Sequence, residues 1–372
     1  MAAPRLAMGL MSGTSADGID AVVLRITPDG AMAVVAHHFL PYPDSLRNAL
    51  LDFGNEEHRI SARDMAAMDA RVGALYAEAA LALSAQCAEA QRVEVIGMHG
   101  QTVCHTPPDN STQIGNPAQL LTALGRPVVA DFRRADMALG GQGAPLAPLF
   151  HQAAFAAPDH WRAVVNLGGI ANISWLPPQG GGALHGYDTG PANGLMDAWF
   201  NRHRGAPGYD HDGTWARTGT VLPTLLDAWQ RDPFFRQPPP KSTGRGSFHL
   251  ERLFALGAPE PDDEPADVQR TLLELTVRSV AQAIEDSAVT PERILLCGGG
   301  AYNGFLVERL STVLAPATVL RTSDVGVAPE QVEAAAMAWL ALRRLDGLPG
   351  AAASVTGARR DAVSGALYAP PV

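Results

Sequence analysis

"GLMSGTSADGID" (residues 9–20) stands almost at the start of a 372-residue chain. Apolar residues flank it on both sides, and small, hydroxylated and acidic residues crowd its centre. The pattern predicts two short strands, residues 6–11 and 19–26, joined by a turn through Ser12-Gly13-Thr14-Ser15 and Asp17-Gly18. Such a turn has two readings. It is a polar hairpin tip that meets water, or it is an anion nest in which several backbone N–H groups converge and Thr14 and Ser15 add hydroxyls. The rest of the chain has to decide.

The same pattern returns at "RAVVNLGGIANISWL" (162–176): apolar strand, Gly-rich tip, apolar strand. After the first copy come a third strand at 31–40 and a long helix from Ser61 to about residue 91. A buried strand at 93–98, a short helix opened by Pro117 and a strand at 127–131 complete that half. After the second copy come helices at 191–204 and about 266–287, a strand at 293–299 and an Ala-rich helix at 328–345. The tail beyond Gly347 holds turn signals and one short strand. Segments 232–248 and 257–267, rich in Pro, Gly and charge, read as exposed loops. The expectation is an α/β protein of two related halves. Domain I covers 1–140 with 328–372 packing back on it, and domain II covers 141–327. In such folds ligands sit at strand ends, so the tips at 12–18 and 166–172 are expected to face each other across a cleft.

Composition narrows the function classes. A 47% hydrophobic and 18% charged chain buries substantial cores and is not disordered. A formal net charge of −10 with no block of Lys or Arg argues against a nucleic-acid partner. No apolar run is long enough to span a bilayer, and the short run after Arg5 is broken by Ser12-Gly13-Thr14, so it reads as a strand and not as a signal. Cys87, Cys104 and Cys297 are scattered and form no CxxC pair, which suggests neither disulfides nor zinc and fits a reducing cytoplasm.

Several residues carry chemistry. In "GYDTGPANGLMDAW" (186–199), Asp188 stands at a strand end before a helix that Pro191 would open. It is there either as a general base or as that helix's cap, and Asp197 reads as structural. "MHGQTVCH" (98–105) puts His99, Gln101, Thr102 and His105 on a strand-end loop, suited to hydrogen-bonding a polar ligand. "ADFRRAD" offers Arg133 or Arg134 as a clamp for carboxylate or phosphate. Glu333 interrupts the small apolar face "VEAAAMAW". There is no GxxxxGK[ST], and "CGGGAYNG" lacks the spacing of a dinucleotide fingerprint.

Together, "GLMSGTSADGIDAV", "HGQTVCHTP", "QIGNPAQL", "VVADFRRADMALGGQGAPLAP", "VVNLGGIANIS", "YDTGPANGLMD", "KSTGRG", "LLCGGGAYN", "PEQVEAAAMAWLA" and "SVTGARR" resemble the anhydro-N-acetylmuramic acid kinase family over residues 9 to about 360. The resemblance implies the two-domain actin/Hsp70/sugar-kinase (ribonuclease H-like) fold closing on a nucleotide. It implies a cytoplasmic, ATP-dependent phosphotransferase of peptidoglycan recycling and amino-sugar metabolism. Such an enzyme opens the 1,6-anhydro ring of 1,6-anhydro-N-acetylmuramic acid with water and phosphorylates O6, giving N-acetylmuramic acid 6-phosphate and ADP.

By the same resemblance, Gly13, Thr14, Ser15, Ala16, Asp17, Gly18, Ile19, Asp20, Gly168, Gly169, Gly298, Gly299, Gly300 and Asn303 bind ATP. Asp188 is the base, and His99, Gln101, Thr102, Arg133 and Glu333 hold the sugar. Mg²⁺ is expected with ATP; its protein ligand is unassigned, with Asp17 and Asp20 as candidates. A homodimer is compatible with this reading, and neither nucleic acid nor membrane enters it. The chain departs from the family's pattern at Ala192 and at Gly246, where an acidic residue commonly follows Arg245. Two alternatives stay open: a kinase of the same fold for another sugar or acid, and an ATP-switched binding protein without catalysis.

Overall fold

The computed structural model describes residues 3–52, 59–205, 208–243 and 248–370. Strands β1 (Arg5–Met11), β2 (Gly18–Ile26) and β3 (Met32–Pro41) open the chain, followed by helices α1 (Asp44–Asp52) and α2 (Ala62–Gln86). The expected cap is present: Ser61 accepts from the Asp64 N–H. β4 (Val95–Met98) leads into a hairpin, β5 (Gln101–Thr106) with β6 (Asn110–Ile114), where a loop was expected. Thr102, Val103 and Thr106 are β-branched and favour extended backbone, and Gln101 pairs with Ile114 to close the ladder. Then come α3 (Pro117–Leu124), β7 (Val128–Ala130), α4 (Arg134–Ala138) and α5 (Ala147–Phe155).

The second half begins with β8 (Arg162–Leu167), β9 (Ile170–Leu176) and β10 (His185–Pro191), then α6 (Asn193–Arg204). Short helices α7 (Thr214–Thr218), α8 (Pro223–Trp229) and α9 (Leu250–Leu256) precede α10 (Pro265–Glu285), β11 (Arg293–Cys297), α11 (Gly304–Val313) and β12 (Thr318–Arg321). Segment 232–248 is not wholly exposed: Phe234 and Phe248 are buried and pack edge to face. Arg245 and Gly246 lie outside the described residues. α12 (Val332–Leu345), α13 (Ala353–Thr356) and β13 (Ala366–Tyr368) finish the chain.

The chain divides into two compact units, Met1–Ala154 with Gly326–Val372, and Phe155–Val325. The first boundary falls at 154/155 and not at 140/141. α5 accounts for the difference, since Phe150 meets Trp339 of α12 edge to face at 6.1 Å. Unit 1 has the sheet order β13-β7-β4-β1-β2-β3 and unit 2 the order β10-β9-β8-β11-β12. In both, a three-stranded antiparallel meander is extended by parallel strands on the side of its first strand. The repeat read from the two Gly-rich tips is therefore a repeat of sheet topology.

Close packing of α12 on unit 1 explains its small-residue face. A Cβ on Gly9 would overlap the Ala334 carbonyl, and one on Gly97 the Met337 carbonyl. Glycine in β1 and β4 lets helix backbone rest on sheet backbone, while Ala334, Ala335, Ala338 and Ala341 are fully buried. That contact fixes the first turn of α12, and with it Glu333. Among the described residues no helix is long and apolar enough to cross a membrane.

Candidate active site

In unit 1 the β1–β2 turn is held from behind. Ser12, 1% exposed, donates to Gln101 Oε1 at 2.6 Å, and Gln101 Nε2 donates to the Gly13 carbonyl at 3.1 Å. The Ala16 N–H closes the turn onto the same carbonyl at 3.2 Å, with Ala16 at φ +52°. Gln101, expected to face sugar, thus spends both ends of its amide on the hairpin tip. In front of the tip there is room: a Cβ on Gly13 would meet only Ser15 Oγ, at 3.8 Å. Thr14 is exposed and Ser15 half-buried.

The remaining candidates in this stretch also make contacts within unit 1. Gly18 and Ile19 are buried inside β2, and Gly18 packs against Leu40 and Pro41 of β3. Asp17 pairs with Arg47 at 2.9 Å and Asp20 with His37 at 2.8 Å. Among the described residues no group of three His, Cys, Asp or Glu is placed to hold a metal ion.

Beyond β7, the two adjacent arginines separate. Arg134 is exposed and pairs with Asp131 at 3.4 Å. Arg133 is half-buried. Its Nη2 donates to His99 Nε2 at 2.9 Å and its Nη1 to the Gly143 carbonyl at 2.8 Å. His99 Nδ1 donates to the Gly100 carbonyl at 2.8 Å, which fixes the tautomer that leaves Nε2 as acceptor. Burial and the neighbouring Arg133 push the His99 pKa down to about 3, so the imidazole is neutral. Burial lowers Arg133 to about 10, against the field of Glu333, which favours its charge. It remains a cation at neutral pH, and both its acceptors are neutral.

Thr102 accepts from Gln113 Nε2 at 3.2 Å, Gln113 also donates to Ser111, and His105 meets Ser111 at 3.0 Å. Beside this group opens a cavity of about 310 Å³, bordered by Asp69, His99, Gln113, Asn116, Asp131 and Arg134.

In unit 2 the second tip is locked to α6. The Gly168 carbonyl accepts from the Asn193 N–H at 2.9 Å, and the Gly169 carbonyl accepts from Ala192 and Gly194 at 3.1 and 3.2 Å. Backbone therefore caps α6, and Pro191 ends β10 instead of opening the helix. Gly298 and Gly300 pack against Leu167 beneath this tip, where a Cβ on either would collide. Asn303 caps α11 by accepting from Leu306 at 3.0 Å, which commits its carbonyl to the fold. A smaller cavity, about 250 Å³, is lined by Gly169, Gly194, Phe248 and His249 but not by Asp188.

Asp188 does not cap α6. It sits within β10 at a bulge, and its Oδ2 accepts from the Thr243 N–H at 2.7 Å. Its own N–H donates to the Lys241 carbonyl at 3.1 Å. Burial pushes the carboxyl up to about 6, while the Thr243 hydrogen bond and the charge of Lys241 pull it down. A carboxylate with one oxygen held and its affinity for protons raised is suited to general-base work at neutral pH. Lys241 donates to the Phe234 carbonyl at 3.3 Å and stands 4.8 Å over the Phe234 ring. Lys241 and Thr243 belong to the "KSTGRG" motif, whose one sequence signal is a polar run inside a Pro- and Gly-rich segment.

A family model described as "Anhydro-N-acetylmuramic acid kinase" matches residues 5–370. The anhydro-N-acetylmuramic acid kinase of Thiobacillus denitrificans is 44% identical over 368 residues, covering 97% of this chain and 96% of that protein. Among solved structures, the (R)-2-hydroxyglutaryl-CoA dehydratase component A of Acidaminococcus fermentans aligns at TM-score 0.46 and 10% identity, over 92% of this chain and 99% of that one. A ROK-family glucokinase of Streptomyces griseus, in complex with glucose and AMPPNP, aligns at TM-score 0.41 and 13% identity, over 91% and 99%.

Proposed function

The chain belongs to the anhydro-N-acetylmuramic acid kinase family, and from that premise we propose how its residues divide the reaction. The protein is an ATP-dependent kinase of peptidoglycan recycling. It opens the 1,6-anhydro ring of 1,6-anhydro-N-acetylmuramic acid with water and phosphorylates O6, giving N-acetylmuramic acid 6-phosphate and ADP.

In our reading the ionised Asp188 accepts a proton from water as the water oxygen bonds to the anomeric carbon. The bond from that carbon to O6 breaks, and O6 takes the γ-phosphoryl group as ADP leaves. Backbone N–H groups of the tip around Gly13, Thr14 and Ser15 bind phosphate, with Gly168, Gly169 and the 298–300 turn supplying the nucleotide contacts of unit 2. Arg133 pairs with the lactyl carboxylate of the muramic acid, and Glu333, His99 and Thr102 line the sugar. Magnesium would accompany ATP and neutralise the charge of its phosphates, with Asp17 and Asp20 as the candidate protein ligands. The reading also carries a cytoplasmic location and is compatible with a homodimer, which sedimentation would read.

One observation carries the assignment of the base: the Asp188 carboxylate is fixed by the Thr243 N–H and its pKa is pushed up to about 6. Turnover in ¹⁸O-water tests it. Label on the anomeric oxygen of the product supports water attack at that carbon, and its absence removes Asp188 from this role.

A further inference from the structure

The motif "SVTGARR" near the C-terminus has no part in the reaction as described. Thr356 lies in it, at the end of α13, and is 1% exposed. Its hydroxyl accepts from the Ala358 N–H and donates to Asp136 Oδ1 at 2.7 Å, across 220 residues of sequence. Asp136 is itself fully buried, and its other oxygen accepts from the Gly143 N–H at 2.8 Å. The next peptide group in that line is the Gly143 carbonyl, to which Arg133 Nη1 donates at 2.8 Å.

The chain around these links leaves little slack. The Thr356 carbonyl accepts from the Gln142 N–H at 3.0 Å, and the Arg359 N–H donates to the Leu139 carbonyl at 3.0 Å. Gly143 has φ +68°, and a Cβ there would press on Met137 and on Arg133 itself. The 139–143 loop is thereby wrapped on the Asp136 carboxylate and clipped from outside by the C-terminal segment. Of the two acceptors that orient the Arg133 guanidinium, one is set by His99 and the other by this loop.

We infer that Thr356 is a positioning residue for Arg133, acting through Asp136 and the Gly143 peptide to aim the guanidinium at the substrate carboxylate. The inference rests on the assignment of Arg133 to that carboxylate. Thr356→Val keeps shape and removes the donor; Thr356→Ser keeps the donor. Loss of one buried hydrogen bond in such a chain shifts ligand affinity by roughly three- to tenfold.

The test is a double-mutant cycle on the full-length enzyme, read as KM for the anhydro sugar and KM for ATP. Thr356→Val is expected to raise the sugar KM roughly three- to tenfold with the ATP KM unchanged, and Thr356→Ser to restore it. In an Arg133→Ala background, Thr356→Val should add nothing. If Arg133→Ala raises the sugar KM but Thr356→Val does not, or if Thr356→Val costs the same in both backgrounds, the positioning role is overturned. If Arg133→Ala leaves the sugar KM unchanged, the site assignment fails instead, and the two failures are distinguishable. Should Thr356→Val not fold, Asp136→Asn, which keeps the volume and weakens both links, is read by the same criteria.

Discussion

Arg133 leans on His99 through a 2.9 Å hydrogen bond to an imidazole that cannot share its charge, because burial holds that ring neutral. A half-buried guanidinium supported by neutral acceptors gains when a ligand anion joins it. Its partners fix its direction while its charge remains available, with Glu333 the acidic group whose field reaches it.

Arg133→Ala should therefore raise the sugar KM roughly ten- to hundredfold, as expected for a charge-assisted pair, and leave the ATP KM nearly unchanged. The same substitution should make little difference for an anhydro-N-acetylglucosamine substrate, which lacks the lactyl carboxylate. Equal losses on both sugars would show that Arg133 reads no carboxylate. Arg134→Ala, removing the exposed neighbour, is expected to change either constant by less than about twofold.

Gln101 spends both ends of its side-chain amide on the first hairpin. Gln101→Met keeps the length and removes both hydrogen bonds to the first hairpin, the one with Ser12 and the one to the Gly13 carbonyl. The ATP KM should rise roughly three- to tenfold, with a smaller effect on sugar. Gly13→Val should abolish ATP binding by calorimetry while the melting temperature holds, since a side chain there meets only open space in the fold. A sugar-specific effect of Gln101→Met would return this residue to the substrate.

Gly97→Ala makes the opposite kind of change. The added methyl would overlap the Met337 carbonyl of α12, so helix and sheet must separate. Overpacking of this kind costs about 1–3 kcal/mol, readable as a lowered denaturation midpoint at unchanged slope. Because Glu333 rides on the first turn of α12, the sugar KM should rise with the loss of stability. An unshifted midpoint would mean that the helix is not seated on Gly97.

The two Gly-rich tips were legible because apolar flanks and glycine turns are local signals, and the twofold repeat of sheet order follows from them. The β5–β6 hairpin was not legible: His99-Gly100 and Pro107-Pro108 punctuate it like a loop, and its ladder depends on pairing across the turn. Arg133 and Arg134 are alike in sequence, and only burial separates them. Whether Asp188 caps a helix turned on two residues, since α6 begins at Asn193 and takes its cap from the carbonyls of Gly168 and Gly169. The Thr356–Asp136 link spans most of the chain and has no periodicity to announce it.

Asp188→Asn separates catalysis from structure. The amide keeps the size and can still accept from Thr243, but it cannot take a proton from water. Turnover should fall by roughly two to four orders of magnitude, with ATP and sugar still bound. The stability effect has a definite sign. A carboxyl whose folded pKa is raised favours the fold below its unfolded pKa and loses that contribution as pH rises through about 6. At pH 7–8 the Asn variant should therefore melt no lower than wild type, and its advantage should fade as pH falls toward 4. A lowered melting temperature at pH 7 with near-normal turnover per folded molecule would give Asp188 a structural role instead.

The same shift predicts the acid limb of the rate. A general base must be ionised in the free enzyme, so kcat/KM should fall about tenfold per pH unit below a midpoint near 6. His99 and His105, pushed down to about 3 and about 4, are neutral through that range and do not supply the limb. The residual activity of Asp188→Asn should show no break near pH 6. Lys241 contributes a positive field that lowers the Asp188 pKa, so Lys241→Met should move the wild-type midpoint upward. A midpoint that stays fixed in Lys241→Met, or a break near pH 6 that survives in Asp188→Asn, would assign the titration to another group and take the base away from Asp188.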